Sequence, residues 1–186
     1  GSWQIVSLVI ASIVLVPLFV LVESRAAEPI VPLSLFRNRT FSVTSAVGFI
    51  IGFALFGAIT YMPLYLQITK GASPTKSGLM LTPLMAGLLI TSILSGQLIT
   101  RYGRYRPFPI IGTAVTALGL FLLALLQVGT SIWIAMGFAM VLGLGLGMVM
   151  QVLVLAAQNS VDPKDMGVAT SGSTLFRQIG GLIGVA

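Results

Sequence analysis

Thr40-Phe-Ser-Val-Thr-Ser-Ala-Val-Gly-Phe-Ile-Ile-Gly-Phe-Ala-Leu-Phe-Gly-Ala-Ile-Thr-Tyr-Met-Pro-Leu-Tyr-Leu-Gln-Ile-Thr69 carries no charge from end to end. A bilayer core of about 30 Å is crossed by roughly 20 residues of helix, so this stretch alone can span one. Charge is also absent between Trp3 and Val22, Ser77 and Thr100, Pro107 and Asn159, and Met166 and Phe176. The fourth of these runs is long enough for two helices, with Gly129-Thr-Ser131 as the reversal between them. The pattern predicts an all-α polytopic membrane protein with five complete transmembrane helices and the start of a sixth.

Composition agrees. Hydrophobic residues make up 56% of the 186 positions and charged residues 8%, against about 25% charged in soluble domains. The net charge of +6 does not imply nucleic-acid binding, because the basic residues sit singly or in threes where apolar runs end, with no folded polar face to hold them. Cysteine and histidine are both absent. That excludes disulfides, thiolate or imidazole metal sites and a histidine proton relay within these residues. The first run lacks the basic start of a signal peptide, and Glu23 and Arg25 close it where a small-residue cleavage site would stand. The opening Gly1-Ser2 and the end at Ala186 without a closing loop raise the expectation of an interior piece of a longer, transporter-sized chain.

The spans are expected at about 3–22, 41–66, 78–100, 107–128, 132–157 and 168–186. Between the first two, Pro29-Ile-Val-Pro32-Leu-Ser-Leu-Phe36 is apolar but too short to cross, and is read as an interfacial amphipathic turn. Pro63 should bend the second span. Alternate loops place Arg25, Arg37, Arg39, Arg101, Arg104, Arg106 and Lys164 on one side, and Lys70 and Lys76 on the other. The arginine-rich side is therefore expected in the cytoplasm.

Several residues carry chemical content. Gly143-Leu-Gly145-Leu-Gly147 lies inside an apolar helix, where glycine admits a neighbouring backbone; a dinucleotide fingerprint would need a strand and a turn instead. Phe49, Phe53, Phe56 and Thr60 share one helical face, with Tyr61 beside them. Two readings stay open: a lipid-facing stripe, or a cavity wall for flat apolar ligands. Met136, Met140, Gly143, Gly147, Gln151 and Gln158 form a comparable face, in which adaptable Met140 and the donor–acceptor Gln151 suit unselective recognition. Core packing is the plainer account of the same face.

Arg177 is the one ionisable residue inside a span, since no Asp or Glu occurs in any of them. It either snorkels to the cytoplasmic edge or turns inward toward an acid on another helix. Asp162 and Asp165 are loop residues, solvated or capping the helix that follows. The Arg101-Tyr-Gly-Arg104-Tyr-Arg106 turn either anchors orientation or latches two helices in one conformational state. No nucleophile–base pair, metal-ligand cluster or catalytic acid is present, so the chain is not expected to be an enzyme. A channel would need a repeated polar lining that these spans lack.

The order of motifs resembles the major facilitator superfamily, most closely its 14-span drug:proton antiporter branch. Gly96-Gln-Leu-Ile-Thr-Arg101-Tyr-Gly103-Arg104-Tyr-Arg106 is similar to the superfamily's signature loop, matching it at Gly96, Arg101, Gly103 and Arg104. Thr100 stands in place of the acid and Tyr105 in place of a base. Pro32-Leu-Ser-Leu-Phe36-Arg-Asn-Arg39, Met62-Pro-Leu-Tyr65-Leu-Gln67, Gly71-Ala-Ser-Pro74, Gly167-Val-Ala-Thr-Ser-Gly172 and Phe176-Arg-Gln-Ile-Gly-Gly181 add to the likeness. The resemblance implies helices 8 to the start of 13. Residues 1–39 would be a transmembrane helix with a cytoplasmic linker, and 40–186 an incomplete C-terminal six-helix bundle. It implies export of amphipathic drugs, dyes or biocides by alternating access in the cytoplasmic (inner) membrane. The energy source would be a proton gradient, with no cofactor and with the proton-handling acids elsewhere in the transporter. Its partners would be small amphipathic substrates, membrane lipids and the remainder of the transporter, not nucleic acid. Export of a lipid or glycolipid is the rival within the same superfamily, because the aromatic face suits acyl chains equally well.

The loop charges make a direct prediction. A cysteine at Lys70 should react with an impermeant thiol reagent from outside the cell, and one at Arg104 only from inside. Reaction of both from one side would overturn the span assignment.

Overall fold

Asn38 fixes where the longest helix begins. Its side-chain oxygen accepts from the backbone N–H of Thr40 at 2.9 Å and of Phe41 at 3.4 Å, satisfying donors that a helix start leaves unpaired. The helix α2, Arg39–Lys70, ends where Gly71 adopts φ 61° and its N–H returns to the Leu66 carbonyl, a left-handed stop that glycine makes without strain. The computed structural model describes residues 2–23, 33–103, 105 and 107–186, and every element within them is helical. Helix α1, Ser2–Glu23, comes first. A 3-10 turn, Leu33–Arg37, leads into α2. Then follow α3, Pro74–Leu79, α4, Thr82–Tyr102, α5, Pro107–Ala124, α6, Ile132–Gln158, and α7, Met166–Val185.

Four helical stretches among the described residues, 39–70, 74–102, 107–124 and 132–158, are long and apolar enough to cross a membrane. The molecule is an all-α polytopic membrane protein, and the expected count of five crossings and a sixth begun is not matched. Helix α7 has the length, 20 residues, or about 30 Å at 1.5 Å per residue. Arg177, Gln178 and the serines and threonines of 170–174 lower its hydropathy.

Several boundaries differ from expectation for local reasons. Helix α2 continues past residue 66 with Pro63 inside it. The 67–76 loop shortens because Ser73 caps α3, accepting from the Lys76 N–H. The fourth span stops at Ala124 rather than 128, where the N–H groups of Leu125 and Leu126 turn back to the Leu122 and Leu123 carbonyls. Thr130 then accepts from the Gln127 N–H. Ser131 and Asp165 occupy cap positions without a side-chain cap bond. The segment ahead of α2 includes the 3-10 turn Leu33–Arg37, one side of which meets the bundle. Leu35 is buried with Phe41, Ala157 and Ala169, and the Phe36 ring meets Phe41 and Phe176 edge-on at 5.3 and 5.5 Å. Asn38 also donates from its side-chain nitrogen to the Ser160 carbonyl. Residues 24–32, Pro29 and Pro32 among them, lie outside the described residues.

Helix α6 is the hub. It packs closely on α4 and α5, and also touches α2 and α7, while α2 and α7 form the other close pair. Its core side is Ala135, Ala139, Leu142, Leu146, Val149 and Leu153, set against Ile51, Leu55, Met62 and Leu66 of α2 and Leu84 of α4. Buried hydroxyls are satisfied mostly within their own helices. Thr91 and Thr116 donate to the carbonyls of Gly87 and Gly112, each at 2.8 Å, and Ser173 to that of Ala169 at 2.9 Å. Lipid offers no other partner. Among the described residues only the Ser45 hydroxyl is buried without one.

The glycine string divides by face. A Cβ on Gly143 or Gly147 would overlap the α4 carbonyl of Leu84 or Leu88, whereas one on Gly145 would overlap Thr116 and Gly112 of α5. Gly137, one turn and a half earlier, has nothing within 4 Å of such an atom. Gly147→Ala should therefore cost about 1–3 kcal/mol through overpacking. Gly137→Ala should be neutral or gain up to about 1 kcal/mol from helix propensity. Unfolding of the detergent-solubilised protein measures both, and equal midpoints for the two variants would remove the packing role of Gly147.

Candidate functional site

Gly96 sits on the wall of an open space between α4 and α6. That cavity, of about 630 Å³, is lined by Ser92, Gly96, Gln97, Thr100 and Arg101 of α4 and by Gln151 and Leu155 of α6. At its inner end the Ser92 hydroxyl donates to the Gln151 carbonyl oxygen at 3.5 Å. A Cβ on Gly96 would stand 3.8 Å from the Gln151 side chain, an ordinary van der Waals contact. At its mouth Arg101 is exposed, and its guanidinium lies 5.7 Å from the centre of the Tyr102 ring, within cation–π range. Gly103 then ends α4 with φ 66° and its N–H on the Ile99 carbonyl at 2.8 Å. Arg104 and Arg106 lie outside the described residues. The expected motif thus supplies one wall of a polar cavity whose opposite wall carries Gln151.

The aromatic face of α2 stands elsewhere, along the seam with α7. Gly180 and Gly184 of α7 press against the backbone carbonyls of Phe49 and Phe53, and the Phe56 ring covers Gly181. Phe49 is partly buried, Phe53 is 49% exposed, and Thr60 is exposed. Tyr61 donates to the Val185 carbonyl at 3.0 Å. It also lines a separate space of about 320 Å³ with Tyr65, Leu120 and Leu123. Tyr65 donates to the Gln127 carbonyl and Lys70 to the Val128 carbonyl, each at 2.6 Å. That end of α2 is thereby tied to both α7 and the α5–α6 turn. Met140 has its backbone against Gly87 of α4 and its side chain partly exposed. The candidate residues therefore fall in three places and do not share one described cavity.

Arg177 is half-buried. It borders a small space with Thr44, Gly48, Met150 and Ser173, between α2, α6 and α7. Gly52 is what admits it, since a Cβ there would overlap the Arg177 backbone and approach its Cγ at 3.0 Å. Sequence reasoning missed Gly52, Gly180 and Gly184. Their signal was present: Gly48 and Gly52, and Gly180 and Gly184, repeat the four-residue spacing of Gly143 and Gly147. Ser92 was missed because nothing in a single helix says which residue of the next one it faces. Among the described residues no group of three or more His, Cys, Asp or Glu could hold a metal.

The Major Facilitator Superfamily profile matches residues 1–185. The chain belongs to that superfamily. It is 43% identical over 184 residues to the multidrug transporter protein MdtP of Bacillus subtilis, covering 99% of this chain and 34% of that protein. It is 44% identical over 186 residues, its full length, to an uncharacterized MFS-type transporter of Mycobacterium tuberculosis, of which it covers 27%. A tetracycline resistance determinant of Streptomyces rimosus is 35% identical over 169 residues, which is 90% of this chain and 49% of that protein. The chain thus spans about a third of the first and a half or less of the others.

In this superfamily member the α4–α6 cavity is the polar opening at the arginine end. Cysteines placed at Gln97 and Thr100 should react readily with a water-soluble thiol reagent, whereas one at Phe121, exposed on α5, should react at least tenfold more slowly in a bilayer. Equal rates at all three positions would show that the cavity holds no water.

Proposed function

We propose that the chain is part of a proton-coupled multidrug exporter that moves small amphipathic compounds across the cytoplasmic membrane by alternating access. The observation that carries this is the 43% identity to a multidrug transporter across 99% of the chain. The chain would belong to the 14-span drug:proton antiporter branch and correspond to helices 8 to the start of 13. Helices α1 and α7 would also be crossings, and the arginine end would face the cytoplasm. Two bundles rocking about a central pocket would then expose it to each side in turn.

In that mechanism Gln151, held by Ser92, offers the recognition groups on α6, with Met140 further along the same helix. Phe49, Phe53, Phe56, Thr60 and Tyr61 supply apolar and weakly polar surface on α2. Gly96, Arg101, Gly103, Arg104 and Arg106 shape the turn that holds α4 to α5 as the bundles exchange states, and Arg177 pairs with an acid of the remaining transporter. Gly143, Gly145 and Gly147 keep α6 close enough to α4 and α5 to move with them. The carboxylates that take up and release the proton lie outside these residues, because the chain's four acids, Glu23, Glu28, Asp162 and Asp165, fall outside the charge-free runs. No bound cofactor is required, and surrounding lipid is the permanent partner.

Phe53→Ala and Gln151→Ala should change resistance or dye efflux several-fold for some substrates and little for others, with normal abundance in the membrane. Uniform loss for every substrate would remove these residues from the pocket. Reconstituted vesicles offered a cationic dye and a labelled lipid distinguish drug export from lipid export. Proton-dependent movement of the lipid alone would replace the drug-export proposal with lipid export.

A further inference from the structure

The glycine seats of the bundle fall into two sets that do not meet. In one, a Cβ on Gly87 of α4 would stand 2.7 Å from the Met140 carbonyl of α6, and one on Gly119 of α5 would stand 2.6 Å from the Leu142 backbone. These seats join the Gly143–Gly147 string in locking α4, α5 and α6 together. In the other, Gly52, Gly180 and Gly184 lock α2 to α7. Among the described glycines none is seated between α6 and either α2 or α7. Side chains make the contact there: Ile51, Leu55 and Met62 of α2 share one core with Leu142, Leu146 and Val149 of α6.

The two kinds of contact resist movement differently. A carbonyl in a glycine notch meets flanking side chains as soon as the helices slide, and close packing gives those side chains nowhere to go. Branched and methionine side chains change rotamer instead, so a contact made by them alone can shear. Among the described residues, hydrogen bonds between the two sets lie only at the ends. At the arginine end Asn38 donates to the Ser160 carbonyl just past α6, and Gln158 of α6 to the Thr170 hydroxyl of α7 at 3.0 Å. At the other end Tyr65 and Lys70 of α2 donate to the Gln127 and Val128 carbonyls, each at 2.6 Å.

We infer that this bundle is two rigid bodies, α2 with α7 and α4 with α5 and α6, which slide on one another where α6 meets α2 and α7. The hydrogen bonds at the ends latch the slide. Because each latch is local, one end opens while the other stays closed and every glycine seat stays filled. The movement lies inside one bundle. It adds to the rocking of two bundles proposed above and does not depend on it.

The test uses the full-length transporter in lipid nanodiscs, without substrate or proton gradient, so the outcome is independent of what is exported. Pairs of nitroxide spin labels at exposed positions report distances by electron paramagnetic resonance. Thr40 of α2 with Tyr102 of α4, and Ile68 of α2 with Trp133 of α6, cross the slide. Thr40 with Ser171 of α7, and Tyr102 with Ile110 of α5, stay within one body. Asn38→Asp keeps the oxygen that starts α2 and removes the donor to Ser160. It should shift or broaden the Thr40–Tyr102 distance by about 1–2 Å, the scale of helix shifts between packed arrangements, and leave the other three pairs unchanged. Tyr65→Phe combined with Lys70→Met should move the Ile68–Trp133 distance alone by a similar amount. The two ends are opened by separate variants, so poor assembly of one leaves the other decisive. Equal broadening of the pairs within one body would mean general loosening and overturn the division. No change at either crossing pair would make the bundle a single rigid body.

Discussion

Backbone-to-backbone approach at α6 is the constraint on which the rest of the bundle depends. Between helices in lipid no hydrophobic force acts, because the solvent is as apolar as the side chains. What remains is dispersion, which falls off within a fraction of an ångström, together with the few polar contacts available. Gly143 and Gly147 remove the side chains that would hold α4 away, and Gly145 does the same toward α5. Alternating glycine with leucine lets one helix touch two neighbours in this way, since residues two apart point to different sides while residues four apart share one. Leu142 and Leu146, fully buried, then fill the space between.

The same device recurs between α2 and α7 with different consequences. There the small residues come from both partners, Gly52 on one helix and Gly180 and Gly184 on the other. That interlock brings a half-buried arginine against the α2 backbone. A guanidinium in this position is costly unless an anion or water reaches it, and Gly48 and Gly52 leave only a narrow space beside it. The seam sets the Arg177 stem against Gly52 of α2, beside the small space it shares with Thr44, Gly48, Met150 and Ser173.

Much of the architecture was legible because charge-free length and glycine spacing are properties of the chain itself. The runs from Thr40 and from Pro107, the break near Ser131 and the packing role of Gly143–Gly147 required no knowledge of neighbours. Helix ends were less legible, since they depend on single contacts. Asn38 could be seen as a cap only once its oxygen was found on Thr40 and Phe41, and Gly71 as a stop only from its positive φ. The Phe49–Phe56 face could be drawn on α2, but a helical face says nothing of which helix meets it. Its partner proved to be the glycines of α7. Leu35 is a related case: an apolar turn beside a membrane says nothing of what its inner side meets, and Ala157 and Ala169 are found against it. Of the Arg101–Arg106 turn, Arg101, Tyr102, Gly103 and Tyr105 are described.

Polar groups in this chain divide into those already bonded inside their helices and those with capacity to spare, and the division bears on selectivity. Thr91, Thr116, Thr44 and Ser173 hold the carbonyl of the preceding turn, so their outward surface is effectively methyl and methylene. Gln151 receives one long bond from Ser92 and keeps its amide donors, while Arg101 and Arg177 have no carboxylate partner among the described residues. In the exporter proposed above, surfaces whose hydroxyls are already bonded would reward apolar area more than hydrogen-bond pattern. Discrimination between ligands that differ by a hydroxyl would then be weak, because a site strongly rejects an analogue only when its own buried polar groups are left unpaired. In the proposed exporter, broad specificity would follow from where the hydroxyls are bonded, without requiring a flexible pocket.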